Sequence, residues 1–212
     1  MEKVSLTKRK TNMFCPQTLF LYGTYKADGT PNFGLFCWIS YFNDSELGIM
    51  ACIGGDKLTK DRIRANNVFS ANLVNESLLP LADYLGNKKG YDSDKMDIPL
   101  EVEQGAVLQV PILKNSPYIF ELEVKKSIPL DGSDIFLCKI RNVMVAKELA
   151  DETKGIQERM SLVKPVLWIS GCGAGQYFPL NCNSMANTGK VSPKNLSSLW
   201  DQDPNIFHIS HE

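Results

Sequence analysis

Three β-rich runs near the start of the chain follow one another with only turns between them. They are Thr18 to Tyr25 (TLFLYGTY), Asn32 to Phe42, and Leu47 to Ile53. KADGTP, with its Asp28-Gly29 pair, separates the first two, and Asn43-Asp44-Ser45 the next two. Strands joined this tightly pair antiparallel, because a parallel return needs a long crossover. A meander of this kind argues for an antiparallel sheet or barrel.

The remaining segments fit that frame. After Ile53 comes a Gly-Gly turn and a helix, with Thr59 as its N-cap and Asp61 in its first turn. Leu58, Ile63 and Ala65 are expected to face inward, and Lys60, Arg62 and Arg64 outward, with Asn66-Asn67 at the end. Val68 to Asn75 alternates like a strand, with Phe69, Ala71 and Leu73 on one side. Ser77 is expected to cap a second short helix, LLPLADYL, which stops at Gly86. Residues 87–97 form a polar loop, either a mobile tip or a ligand loop. Tyr118 to Val124 and Ile135 to Val145 read as an antiparallel pair across the Asp131-Gly132 turn. Asp151 to Leu162 reads as helix and Pro165 to Ser170 as a short apolar run. GCGAG, Gly171 to Gly175, is a loop: Gln176 breaks the dinucleotide-binding frame and no helical pattern follows.

The total is six or more antiparallel strands with two or three short helices. A mainly β, Greek-key or split barrel is expected, since regular β-α-β alternation is missing. Residues 1–12 are read as a polar arm, 13–180 as one domain and 181–212 as a polar tail.

Composition removes several function classes. The 212 residues carry a net charge of −1, and the KRK cluster at Lys8 to Lys10 is short, so nothing favours nucleic acid. No apolar run approaches the roughly 18 residues that span a membrane, and the N-terminal segment lacks a signal peptide's apolar core. A cytoplasmic protein is expected. The six cysteines (Cys15, Cys37, Cys52, Cys138, Cys172, Cys182) show no C-x-x-C pair and read as buried and reduced rather than as a disulfide framework or metal site. Both histidines, His208 and His211, lie in the last five residues. Histidine-dependent nucleophilic catalysis inside the folded body is therefore not expected, and any chemistry falls to a cofactor.

One constellation suggests which cofactor. GGDKLTKDRI, Gly54 to Ile63, sets a helix start loaded with Lys57, Thr59 and Lys60 directly after an apolar strand. Free N–H groups at a helix start favour phosphate, and neighbouring hydroxyl and ammonium groups add to that. NFGLFCW, Asn32 to Trp38, supplies an apolar, aromatic wall. A phosphate pocket beside a flat apolar wall suits flavin mononucleotide (FMN). Each residue also has a plainer reading: Trp38 and Cys52 as core, Thr59 as a helix cap, and Lys57 and Lys60 as a solvated face.

The order of these segments, followed by FSANLV and the loop GYDSDK (Gly90 to Lys95), resembles the flavin reductase-like family with its FMN-binding split β-barrel. Within that family it looks most like the flavoredoxins. The resemblance runs from about Asn12 to Leu180. It implies a homodimer with non-covalent FMN near the subunit interface, NAD(P)H as a transient reductant or a redox protein as partner, and electron transfer as the function. A non-enzymatic FMN storage or sensing protein is the alternative. The resemblance implies flavin contacts at Asn32, Trp38, Thr59 and Lys95; the physical reading adds Lys57 at the phosphate and Cys52 near the expected flavin edge. Two positions depart from the pattern. Met96 stands where an aromatic is expected, and Asp134 stands near the position of a histidine. An acid there cannot donate as an imidazole does, so the contact is made differently, the potential shifts, or the loop has moved.

Overall fold

The computed structural model of the chain describes Lys3, residues 13–171 and residues 174–180. Among the described residues, twelve strands run in the order β1 Gln17–Thr18, β2 Phe20–Tyr25, β3 Pro31–Phe36, β4 Ile39–Asp44, β5 Glu46–Gly54, β6 Val68–Leu73, β7 Val102–Gln104, β8 Pro111–Leu113, β9 Tyr118–Leu130, β10 Ser133–Val145, β11 Val166–Ser170 and β12 Gly175–Pro179. Helix α1 is Leu58–Asn66, α2 is Leu79–Asn87, and α3 is Ile156–Val163. A 3-10 turn spans Lys147–Leu149.

The main sheet has seven strands in the order β3-β2-β6-β9-β10-β5-β4, and every pair in it is antiparallel. Its two edges, β3 and β4, are successive in the chain and joined only through Cys37 and Trp38. The sheet must therefore curl until its edges approach, which makes a barrel. Asn32 to Phe42, read above as one strand, is two strands on opposite edges. The meander is corrected accordingly: β3 pairs with β2, whereas β4 pairs with β5. The break lies where Trp38 accepts the Cys52 N–H at 2.9 Å. Thr18 to Tyr25 also divides at Leu19, because β1 leaves the barrel to pair with β11 in the small β1-β11-β12 sheet.

Alternation sorts the apolar residues into cores. Tyr22, Ile49, Ala51, Ile53, Ile63, Phe69, Leu122 and Phe136 fill the barrel. Leu21, Phe33, Ala82, Leu85, Leu113 and Val166 pack outside it, under α2 and the small sheet. The β9–β10 hairpin turns at Asp131-Gly132, with Gly132 at φ +84°. Its strands are longer than the alternation alone indicates, and Glu121 lies on the face opposite Tyr118, Phe120 and Leu122. Glu121 is fully buried and accepts the N–H groups of Ala106, Val107 and Leu108 at 2.9, 2.9 and 2.6 Å, and the Asn142 amide at 2.7 Å.

Several local expectations change. Lys57 holds the N-cap position of α1, so Thr59 is the second helical residue rather than the cap. Lys60 is buried with Thr59 and Ile63, while Ala65 is exposed. Asn75, not Ser77, caps the region before α2: its side-chain Oδ1 accepts the Leu78 N–H at 3.0 Å and the Ser77 hydroxyl at 2.9 Å. α3 is shorter than Asp151 to Leu162 suggested. Of the cysteines, Cys138 is buried, Cys37 and Cys52 are half-buried and Cys15 is exposed. Cys172, Cys182, the KRK cluster, both histidines and the tail from Asn181 lie outside the described residues. No described helix is long and apolar enough to cross a membrane.

Candidate functional site

β5 ends at Gly54, and the chain reverses through Gly55 at φ +69°, a conformation a side chain would strain. Its N–H is fixed to the Gly132 carbonyl at 2.8 Å. The next residues begin α1, and no side chain caps that end. The first-turn N–H groups of a helix have no intrahelical partners, so they point outward with the positive end of the helix dipole.

A cleft of about 390 Å³ opens at this helix start. Gly34, Leu35 and Phe36 of β3 form one wall, Leu85 and Gly86 of α2 another, and the loop from Lys88 to Lys95 the third. Two close approaches keep it shaped. A Cβ on Gly34 would meet Thr59 Oγ1 at 2.9 Å, and one on Gly90 would meet Leu58 Cβ at 2.6 Å. Four lysines line the cleft, Lys57, Lys88, Lys89 and Lys95, against one carboxylate, Asp56. Lys88 is committed to Asp94 at 2.8 Å. Lys95 is 3% exposed, yet its ammonium has no hydrogen-bond or ion-pair partner among the described residues. Burial, with Lys57 and Lys26 adding to it against Asp92, pushes its pKa down to about 8. An unpaired buried cation is costly to hold.

Asn32 lies behind this wall. It is fully buried, and its amide donates to Thr59 Oγ1 at 3.0 Å and to Thr24 Oγ1 at 3.3 Å. Thr59 therefore receives its hydrogen bond from inside the protein and keeps its own O–H for the cleft. Asn32 Oδ1 is buried without a partner.

Of the six sequence-derived candidates, Lys57, Thr59 and Lys95 line the cleft and Asn32 orients Thr59. Trp38 and Cys52 lie elsewhere. Trp38 is 49% exposed, so it is not core, and its ring lies against Gly54. Cys52 is on the outer face of β5, beside Ile135 of β10. The two are neighbours through the Cys52 N–H, just before the turn into α1. Asp134 is outside the cleft. Arg64 grips it bidentately at 2.5 and 2.7 Å, and that guanidinium holds its carboxyl below the usual range. Met96 packs against the core under α2. The sequence reading passed over Gly34, Gly90 and Tyr91. An isolated glycine inside a strand pattern, as at Gly34, is a signal of close approach. Tyr91 hydrogen-bonds Asp61 and brings its ring to the rim.

A curled antiparallel sheet with a lysine-lined cleft at one helix start defines a split-barrel protein. The flavin reductase-like domain model matches residues 13–171, and the chain belongs to that family. Its fold is that of the flavoredoxin of Desulfovibrio vulgaris (Miyazaki F), at 22% identity and TM-score 0.75, over 89% of this chain and 98% of the other. The flavoredoxin of Methanosarcina acetivorans gives 20%, 0.75, 89% and 97%. An FMN-binding protein from Thermus thermophilus gives 19%, 0.69, 88% and 98%. Compared with curated protein sequences, the chain shows no match.

Proposed function

We propose that this chain binds FMN non-covalently and works as a flavin-dependent redox protein, taking electrons from NAD(P)H or a protein donor and passing them to an acceptor. The observation that carries the reading is Lys95, a buried and unpaired ammonium in a cleft that also offers a free hydroxyl and an uncapped helix start. These groups fit a phosphate: Lys95 and Lys57 supply charge, Thr59 donates its O–H, and the first-turn N–H groups of α1 complete the donor set. The cleft volume falls in the range of small-ligand pockets. Relatives of the same fold are flavoredoxins or FMN-binding by name.

When bound, FMN supplies the electron-accepting and electron-donating chemistry. The chain's residues hold and shield it. Asn32 fixes Thr59, Leu35 and Phe36 keep water from one wall, and Trp38 and Cys52 offer an apolar surface beyond the Gly54-Gly55 turn. The assembly we assign is a homodimer. The outer faces of β5 and β10 carry Met50 and Cys52 beside Leu137 and Ile135, half-buried, with Trp38 and Phe42 at the same edge. A half-exposed apolar sheet face of this kind suits a second copy of the chain.

The test is a visible spectrum of the desalted protein before and after FMN loading, then after NADH, NADPH or a reduced protein carrier. Oxidised-flavin bands that survive desalting and bleach with one of these donors are expected. A protein that cannot retain FMN overturns the reading. Retained flavin that no donor reduces leaves storage or sensing as the function.

A further inference from the structure

One cleft is lined by an amine as well as by a hydroxyl and an uncapped helix start. Lys95 is the one lining lysine that is buried yet uncommitted among the described residues. Lys88 is paired with Asp94, and Lys57 and Lys89 are exposed. We infer that Lys95 is a modification site for acyl phosphates: the cleft seats their phosphate at the start of α1 and delivers the acyl group to the Lys95 side chain. This rests on the anion-binding reading of the cleft proposed above.

The geometry supplies both requirements of such a step. Phosphate docked against Thr59 and the uncapped helix end is held in the same cleft that the Lys95 ammonium lines. The groups facing that ammonium are Lys57 and Lys26, which disfavour its charged form, and Asp92, which favours it. With burial they leave, in the empty cleft, an amine that titrates near 8, so a fraction is already neutral and nucleophilic when an acyl phosphate arrives. The neutral amine attacks the carbonyl carbon and a C–N bond forms. The C–O bond to phosphate breaks, its electron pair leaves with the phosphate, and the nitrogen's surplus proton passes to that phosphate. No oxidant or reductant is needed.

The product is a neutral amide. It removes the buried charge that the FMN phosphate would meet, so acylation closes the anion site. Bound FMN in turn covers the amine. Modification therefore marks flavin-free protein and keeps it flavin-free.

The experiment is a time course of the full chain, stripped of flavin and returned to neutral buffer, with acetyl phosphate, read by peptide mass spectrometry, alongside a phosphate-free acetyl thioester. Acetylation of Lys95 at least about tenfold faster than of Lys57 or Lys89 is expected with acetyl phosphate but not with the thioester. FMN or inorganic phosphate should slow it at least tenfold. The acetylated fraction should bind FMN at least tenfold more weakly. FMN retention by the unmodified protein is measured in parallel. Equal labelling of all three lysines in a protein that retains FMN overturns this inference and leaves the FMN reading intact. Preferential labelling that neither FMN nor phosphate slows overturns the phosphate-directed step. Failure to retain FMN counts against the FMN reading separately.

Discussion

A lysine that is 3% exposed and unpaired is a liability to the empty protein and an asset to the loaded one. Its pKa of about 8 lies below its ordinary 10.5, so the buried charge destabilises the empty fold at every pH below about 8. That handicap fades as pH rises from about 8 towards 10.5. Lys95→Met should therefore stabilise the FMN-free protein at pH 7 by on the order of 2 kcal/mol, read by urea denaturation, and abolish FMN retention. A variant that is less stable and still binds FMN would refute both halves. The wild-type protein should also lose FMN affinity as pH rises through about 8, where the empty-site ammonium loses its proton. Glu121 is the opposite case, a buried carboxylate with full satisfaction. Burial raises its pKa, but the Asn142 amide and three backbone N–H groups win and hold it below the usual value. Its contribution is present above the ordinary carboxylate range and is lost as pH falls through its depressed folded value. Glu121→Gln turns an amide donor towards backbone donors and should cost about 1–3 kcal/mol at pH 7, with a shallower loss of stability below pH 4. An unchanged urea midpoint would show that residues 105–110 do not depend on this carboxylate. Period-two alternation separates Glu121 from the apolar face of Tyr118 to Val124, but it carries no information about the loop that covers it.

At the scale of elements, the start of α1 is the device on which the site depends. The helix was legible from GGDKLTKDRI, as were the antiparallel pairing and the D-G turns, because turn chemistry and period-two alternation are local. The break at Cys37 and Trp38 was not legible. Both halves of Asn32 to Phe42 have strand composition, and only closure of the barrel decides that the second half crosses to the other edge. Thr59 was read as a cap because hydroxyls at helix starts usually are. The structure places it one position inside the helix cradle, fixed from behind by Asn32 across twenty-seven residues, a contact that no local signal encodes. The pair has a testable signature. Thr59→Val keeps the shape and removes the hydroxyl, and should weaken FMN binding about tenfold, equivalent to one charge-assisted hydrogen bond. Asn32→Ala leaves Thr59 in place but unheld, so a smaller loss of affinity is expected, with a measurable loss of stability. Titration calorimetry decides the order, and an Asn32 variant that binds worse than the Thr59 variant would place Asn32 itself against the ligand.

For the whole molecule, the distribution of the six candidate residues over two places becomes informative. Lys57, Thr59, Lys95 and Asn32 gather at the cleft, while Trp38 and Cys52 lie past Gly54 on the outer sheet face with Met50, Ile135 and Leu137. A single copy leaves that face half-exposed, and a ligand reaching from the cleft towards Trp38 would end at its margin. A second copy seated there would cover the apolar strip and enclose that end. Stable dimers bury about 800 Å² per partner, commonly around a few central apolar residues. Leu137→Glu puts a charge in the middle of the strip without touching the cleft. Sedimentation velocity should give a dimer for the wild-type chain and a monomer for the variant, and the monomer should retain FMN more weakly although its lysines and Thr59 are unaltered. A variant that still sediments as a dimer would move the interface elsewhere. A monomer with undiminished FMN affinity would confine the ligand to the cleft and leave Trp38 and Cys52 without a part in binding it.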